Sequence, residues 1–380
     1  LPAEPARVFQ AAAVPIRTCA ARLEALALET SAYLRARPQG GDGVIDLWPV
    51  LRYAPGTSAG TYQGDYALLV DQGGDDIYTN NAGGNLVDLV RGPDGSAAPT
   101  KAPARGCHRF ALEFPHECQI GVALLIDSAG DDTYGVRQAP SPGGDAYCTV
   151  DSVVGRIVTG GASLAGVGIL IDGAGDDHYV AKTAAQGSGH LAGVGVLRDE
   201  GGDDSYLALR NSQGYALEGG LGVLRDQSGD DSYDYYEAAP LDPNAGYQRP
   251  GSGGIIDDTG VCDRLPRMMQ GTANAGSLGV LLDVSGADRY RGAPPTTQLF
   301  DPSVPEAAGG LMHHGSQGFG GDLGAGYLLD EGGADTYAGV PGRRDEVTID
   351  PTPDNTGRFE DRSDTRSGAG KLVPDRAQRS

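Results

Sequence analysis

The stretch GVGVLRDEGGDDSY, Gly193 to Tyr206, is one statement of a pattern that the 380-residue chain writes seven times. With the first Asp of each copy as its anchor, the copies sit at Asp71, Asp127, Asp172, Asp199, Asp226, Asp283 and Asp330. A leucine stands two positions before every anchor (Leu69, Leu125, Leu170, Leu197, Leu224, Leu281 and Leu328). A glycine follows three positions after it, an aspartate five after and a tyrosine seven after. Repeats at a fixed period mark solenoids, propellers or arrays, in which each unit covers the apolar face of its neighbour.

The undisturbed period, Asp172 to Asp199 to Asp226, is 27 residues. Gln186, Gln213, Gln270 and Gln317, each followed by Gly, stand thirteen residues before their anchors, so the block from Gln to Tyr has constant length. Every insertion therefore falls between a Tyr and the next Gln equivalent, as at 79–113, 135–158 and 291–316. Within a copy, Gly193 to Arg198 reads as a short strand bounded by turn signals. The anchor and the Gly three later are the first and fourth residues of a type I turn, in which the Asp accepts amide hydrogens of its own turn. A second strand carries Asp204 and Tyr206, and the Gln-Gly segment leads a third. A propeller blade needs four strands and about 40 residues. The pattern predicts an all-β fold, a parallel β-solenoid (β-helix) of 27-residue coils, with the leucines and tyrosines as inward ladders and the glutamines as an amide ladder between coils.

The back half of each copy, GGDD-x-Y at Gly73 to Tyr78 and at Gly201 to Tyr206, resembles the glycine and aspartate core of RTX calcium-binding repeats. In that family carboxylates and turn carbonyls from successive turns enclose Ca²⁺ in a parallel β-roll, and the resemblance implies an analogous carboxylate site here. Electrostatics points the same way. Equivalent side chains on adjacent coils stand about 4.8 Å apart, where two carboxylates repel by about 1 kcal/mol in water and by about 3.5 kcal/mol at an effective dielectric constant near 20. Calcium, which takes six to eight oxygens in flexible geometry, removes that cost. The expected ligands are Asp75 and Asp76, Asp131 and Asp132, Asp176 and Asp177, Asp203 and Asp204, Asp230 and Asp231, Asp288 and Asp335. Ala287 and Ala334 replace the doubled Asp in the last two copies, which are expected to bind most weakly.

The copies supply nineteen of the aspartates behind a formal charge of −22, which excludes a nucleic-acid partner, since affinity there comes from Lys and Arg on phosphates. No apolar run reaches the length of a membrane span. The five cysteines (Cys19, Cys107, Cys118, Cys148 and Cys262) lack zinc spacing; disulfides across loops, for example Cys107 to Cys118, suit an exported protein. A chain that starts at Leu1 fits the same expectation. The histidines, His108, His116, His178, His190, His313 and His314, have no identifiable catalytic partner and read as surface or loop-packing residues.

Three regions follow. Residues 1–41 hold a helix over 16–36 with apolar Ile16, Ala20, Leu23, Leu26, Ala27 and Leu34, starting near Pro15, expected to cap an open end of the stack. Residues 42–340 are the solenoid, with worn copies at 44–46 and at 255–263, where Asp257 and Gly260 survive and Cys262 takes the second Asp. Residues 341–380 are polar and read as a flexible tail. The expected function is that of an exported, calcium-stabilised structural, adhesive or glycan-binding module at the cell surface, using its insertions. The alternative is a carbohydrate-active enzyme, a polysaccharide lyase or hydrolase on a β-helix, with acidic residues at the insertion-bearing face, although carboxylates are so many that spacing singles out no pair for glycoside hydrolysis.

Overall fold

The computed structural model describes residues 3–36, 43–48, 50–64, 66–79, 83–84, 89–91, 97–99, 122–135, 166–183, 185–190, 192–217, 219–235, 270–274, 276–291, 318, 324–330, 335–338 and 369–373. These form one helix and a repeated, solenoid-like pattern of parallel strands. The front half of each copy supplies one strand of a ten-stranded sheet, which runs from Ile45–Leu47 through strands such as Val167–Ile171, Val194–Arg198 and Leu221–Asp226 to Ala369–Val373. The back half supplies an eight-stranded sheet that includes His178–Thr183, Ser205–Arg210 and Ser232–Tyr235. Gly189–His190, Ala216–Leu217 and Ala273–Asn274, just after the Gln-Gly pairs, form a three-stranded sheet.

Each residue pairs with its own equivalent in the next copy: Leu170 with Leu125 and Leu197, Tyr206 with Tyr179 and Tyr233. Identical side chains therefore stack. The seven leucines are at most 2% exposed, and the rings of Tyr62, Tyr78, Tyr134, Tyr179, Tyr206, Tyr233 and Tyr290 form one column with centroids 4.8 Å apart and interplanar angles of 12° or less. Offset-stacked aromatic pairs contribute about 0.5–1.5 kcal/mol each beyond their buried area. The leucine and tyrosine columns meet in one core. Between copies the backbones nearly touch: a Cβ on Gly202, whose φ is +151°, would lie 1.6 Å from the Gly175 carbonyl oxygen.

Helix α1, Ala3–Arg35, is longer than expected and carries Pro15 inside it. It does not cap an end. Ala20, Ala27 and Leu34 pack on the face of the large sheet opposite the leucines, against Val70, Leu124, Ile126, Val167, Ile169, Ile171, Val194 and Val196. Strands apolar on both faces need cover on both, and Val167–Ile171 is buried at all five residues. Arg17 donates to the Gly219 carbonyl at 3.1 Å and Arg35 to that of Gly173 at 2.7 Å, so the helix spans several copies. Leu26, counted in the apolar stripe, is instead 58% exposed.

The first edge of the large sheet is finished by a hairpin. Ile45–Leu47 pairs antiparallel with Leu51–Ala54, which lies in parallel register with Leu68–Asp71. The worn copy is thus 51–62 and not 44–46, with Ala54 at the anchor and Tyr62 completing the tyrosine column. The Arg52 guanidinium sits 5.0 Å from the centroid of the Tyr62 ring and 3.0 Å from Asp46. At the other edge, Ala369–Val373, inside the stretch expected to be a flexible tail, pairs in parallel with Ala325–Asp330 and sets Leu372 beside Leu328. Pairing with an open edge satisfies backbone groups of both strands and offsets ordering costs that the composition of the whole segment did not suggest. The copy expected at 255–263 lies outside the described residues.

Candidate metal centre

The anchor carboxylates of Asp71, Asp127, Asp172, Asp199 and Asp226 do what a turn-opening Asp does, and more, whereas Oδ1 of Asp283 is buried without such a bond. One oxygen accepts the amide two residues on: Gly201 to Asp199 at 2.8 Å, Gly73 to Asp71 at 2.9 Å, Ala174 to Asp172 at 3.1 Å. The other accepts the tyrosine hydroxyl of the preceding copy: Tyr179 to Asp199 at 2.6 Å, Tyr206 to Asp226 at 2.7 Å, Tyr233 to Asp283 at 2.8 Å. Tyr62, Tyr78 and Tyr134 donate likewise to Asp71, Asp127 and Asp172. Every anchor is at most 2% exposed.

The aspartates five positions on are buried too, and each reaches back one copy. Oδ1 of Asp132, Asp177, Asp204 and Asp231 accepts the backbone N–H of Asp76, Asp132, Asp177 and Asp204 at 2.6–2.7 Å. Asp288 and Asp335 accept from Asp231 and Asp288 at 2.9 Å. Oδ2 of Asp76, Asp177, Asp204 and Asp231 is buried and meets no N–H or hydroxyl donor; the groups that can share a proton with it are the anchor carboxyls Asp71, Asp172, Asp199 and Asp226, and a lost partner at such an atom costs about 1–3 kcal/mol, more if it is charged.

The doubled aspartates go elsewhere. Neighbouring residues of an extended chain point to opposite sides, so Asp75, Asp131, Asp176, Asp203 and Asp230 are exposed while their successors face inward. They form an outer column in which Asp75, Asp131, Asp176 and Asp203 accept the amide of the next copy's doubled Asp at 2.9–3.2 Å. Ten of the twelve expected ligands thus divide into an inner and an outer set, and Asp288 and Asp335 belong to the inner one.

What joins the inner aspartates is the anchors. Oxygens lying within 4.8 Å of one another come from Asp71, Asp76 and Asp127; from Asp132, Asp172 and Asp177; from Asp177, Asp199 and Asp204; from Asp204, Asp226 and Asp231; and from Asp231, Asp283 and Asp288. These repeated groups are close enough to hold a metal ion. Legible in the sequence as a turn residue, each of these anchors thus belongs also to a group of three carboxylates. The available signal was parity: Leu197 and Asp199 share a face of one strand, as Asp204 and Tyr206 share a face of the next.

Burial, and then the neighbouring carboxylates, raise the inner groups far above the ordinary carboxylate range. Asp76 is pushed up to about 7, Asp204 to about 11 and Asp231 to about 10, and Asp177 higher still. Asp132 is raised to about 8 and Asp288 to about 9, again chiefly by burial. The anchors Asp127, Asp172 and Asp226 move the same way for the same reasons. Such groups stay neutral by holding protons unless a cation sits among them; a bound cation reverses the balance and ionises them.

Two other columns flank this interior. Gln186 and Gln213, both at positive φ (52° and 56°), tie the tyrosine strands together: Gln186 Nε2 donates to Tyr179 O at 3.0 Å and Leu207 O at 3.2 Å, Gln213 Nε2 to Tyr206 O and Asp234 O at 3.0 Å. The expected amide-to-amide ladder is thus an amide-to-backbone clamp. The His190 ring lies 5.3 Å from that of Tyr215, and burial lowers its pKa to about 4. His108, His116, His313, His314 and Cys107, Cys118, Cys148 and Cys262 lie outside the described residues; Cys19 is exposed and unbridged. No helix is long and apolar enough to cross a membrane among the described residues. No protein-family model, no curated protein and no solved structure matches the chain.

Proposed function

We propose that the sheets close into a calcium-stabilised β-solenoid that works outside the cell as a rigid structural or adhesive module. The observation that carries this reading is that Asp177, Asp204 and Asp231, whose Oδ2 atoms are buried and meet no N–H or hydroxyl donor, belong to groups of three carboxylates. Ca²⁺ suits such oxygens best, because it accepts carboxylates in irregular geometry, and extracellular modules bind it in the 10⁻⁴–10⁻³ M range typical of their surroundings (about 0.1–1 mM). The insertions at 79–113, 135–158 and 291–316 are the proposed contacts to glycans or a cell surface; apart from 79, 83–84, 135, 291 and the antiparallel strands Leu89–Arg91 and Ala97–Pro99, they lie outside the described residues.

The enzyme alternative is less well supported. The paired carboxylates are 0–2% exposed at Asp172, Asp177, Asp199, Asp204, Asp226 and Asp231, out of reach of a polysaccharide, and the exposed column is a row of equivalent groups with no distinct acid and base. Calorimetric melting in EGTA and then in millimolar Ca²⁺ tests the reading. In about 1 mM Ca²⁺, with a Kd of about 0.1–1 mM, each site adds about 0.4–1.4 kcal/mol, so several sites together are expected to raise the midpoint by several degrees; an unchanged midpoint contradicts the reading.

A further inference from the structure

Resting on the cation reading above, we infer that the interior holds its divalent ions as one continuous file, in which Asp177, Asp204 and Asp231 each serve two ions at once. The acidic groups overlap. Asp177 belongs to the group with Asp132 and Asp172 and to the group with Asp199 and Asp204; Asp204 belongs to that group and to the one with Asp226 and Asp231; Asp231 belongs also to the one with Asp283 and Asp288. Four groups are therefore linked through three shared residues, whereas the anchors Asp172, Asp199, Asp226 and Asp283 belong to one of these four groups each.

The shared residues are equipped for this. Each fixes its Oδ1 on the backbone N–H of the preceding copy (Asp132, Asp177 or Asp204) at 2.6–2.7 Å, keeps Oδ2 buried and clear of any N–H or hydroxyl donor, and belongs to two groups. The copies rise by the 4.8 Å of the tyrosine stack, a separation that one carboxylate can bridge.

Charge selects the ion class. Nine carboxylates line the four groups, so four divalent ions leave one negative charge, whereas four monovalent ions leave five. In a buried interior only the first comes near neutrality. A file also predicts unequal losses: removing an anchor disturbs one ion, removing a shared aspartate disturbs two.

The test is metal content. The full chain is loaded with Ca²⁺, freed of excess ion and assayed for calcium per chain by mass spectrometry, beside Asp204→Asn, Asp199→Asn and the outer-column control Asp203→Asn. The file predicts that Asp204→Asn loses twice as many ions as Asp199→Asn and that Asp203→Asn loses none. Equal losses for Asp204→Asn and Asp199→Asn overturn the file while leaving the cation reading intact; no calcium in the unsubstituted chain overturns the reading itself. Because Asp204→Asn can unfold the stack, the unsubstituted chain is also loaded with Mn²⁺ in place of Ca²⁺ and read by electron paramagnetic resonance. Ions in file give a spin-coupled, broadened spectrum, and the six-line spectrum of isolated ions alone overturns the file.

Discussion

Replacing Gly202 by Ala attacks the closest approach between copies. The new Cβ would lie 1.6 Å from Gly175 O, and the residue holds φ at +151°. Reaching ordinary contact near 3.4 Å needs a shift of about 1.8 Å, which no side chain can absorb because the obstacle is backbone. A shift of that size breaks the bonds on either side, Asp177 N–H to Asp204 Oδ1 at 2.7 Å and Asp203 N–H to Asp176 Oδ1 at 2.9 Å. Backbone strain of about 1–3 kcal/mol and two lost bonds to carboxylates at about 1.5–3 kcal/mol each sum to a loss on the order of 6 kcal/mol. At roughly 2–4 °C per kcal/mol for a domain of this size, the midpoint falls by more than about 10 °C. Thermal unfolding followed by circular dichroism reads it, with Gly43→Ala, whose Cβ meets nothing within 4 Å, as the neutral control. A midpoint for Gly202→Ala within about 2 °C of the control would refute the inter-copy packing.

Three further outcomes are expected. Tyr206→Phe keeps the stacked ring but removes the donor to Asp226 Oδ2 at 2.7 Å, a loss of about 2 kcal/mol by denaturant titration; a loss below about 0.5 kcal/mol would detach the tyrosine column from the aspartates. In the metal-free chain, Asp76 is raised to about 7, Asp132 to about 8 and Asp204 to about 11 from 3.8. A raised carboxyl binds its proton more tightly in the folded state, so its contribution is full below the unfolded value and lost as pH rises through the folded one. The midpoint in EGTA should therefore fall from about pH 4 up to about pH 11 and flatten in Ca²⁺, whose ligands are deprotonated; a midpoint that rises with pH in EGTA across that window contradicts this. Deleting 341–380 removes Ala369–Val373 from the edge at Ala325–Asp330 and should promote association, read by light scattering; a deletion that stays monodisperse with an unchanged midpoint argues that the edge needs no cover.

The repeat could be read from the chain because equivalent residues stack in register: Leu197 under Leu224 and Tyr206 under Tyr233 are visible as spacing alone. The site was half visible. GGDDSY announces carboxylates, but the doubling hides that Asp203 and Asp204 face opposite ways, and only alternation with buried Tyr206 assigns the inner one. Asp199 looked complete as a turn residue, since its second partners, Tyr179 and the group with Asp177 and Asp204, come from other copies. The helix was misplaced because its amphipathic stripe says that it covers something without saying what. The clue lay in the strands, where Ile169 and Ile171 flank Leu170 and make both faces apolar. Ala369–Val373 was overlooked because its copy has lost the anchor, with Pro374 where Asp330 stands in the preceding one.

Anomalous diffraction from crystals grown in calcium is the most direct measurement of the central claim. A peak is expected among Asp177, Asp199 and Asp204, at about 2.3–2.6 Å from the buried Oδ2 atoms, and again one copy on among Asp204, Asp226 and Asp231. Direct carboxyl-to-carboxyl hydrogen bonds at these positions, with no peak in calcium, would mean that protons alone neutralise the interior.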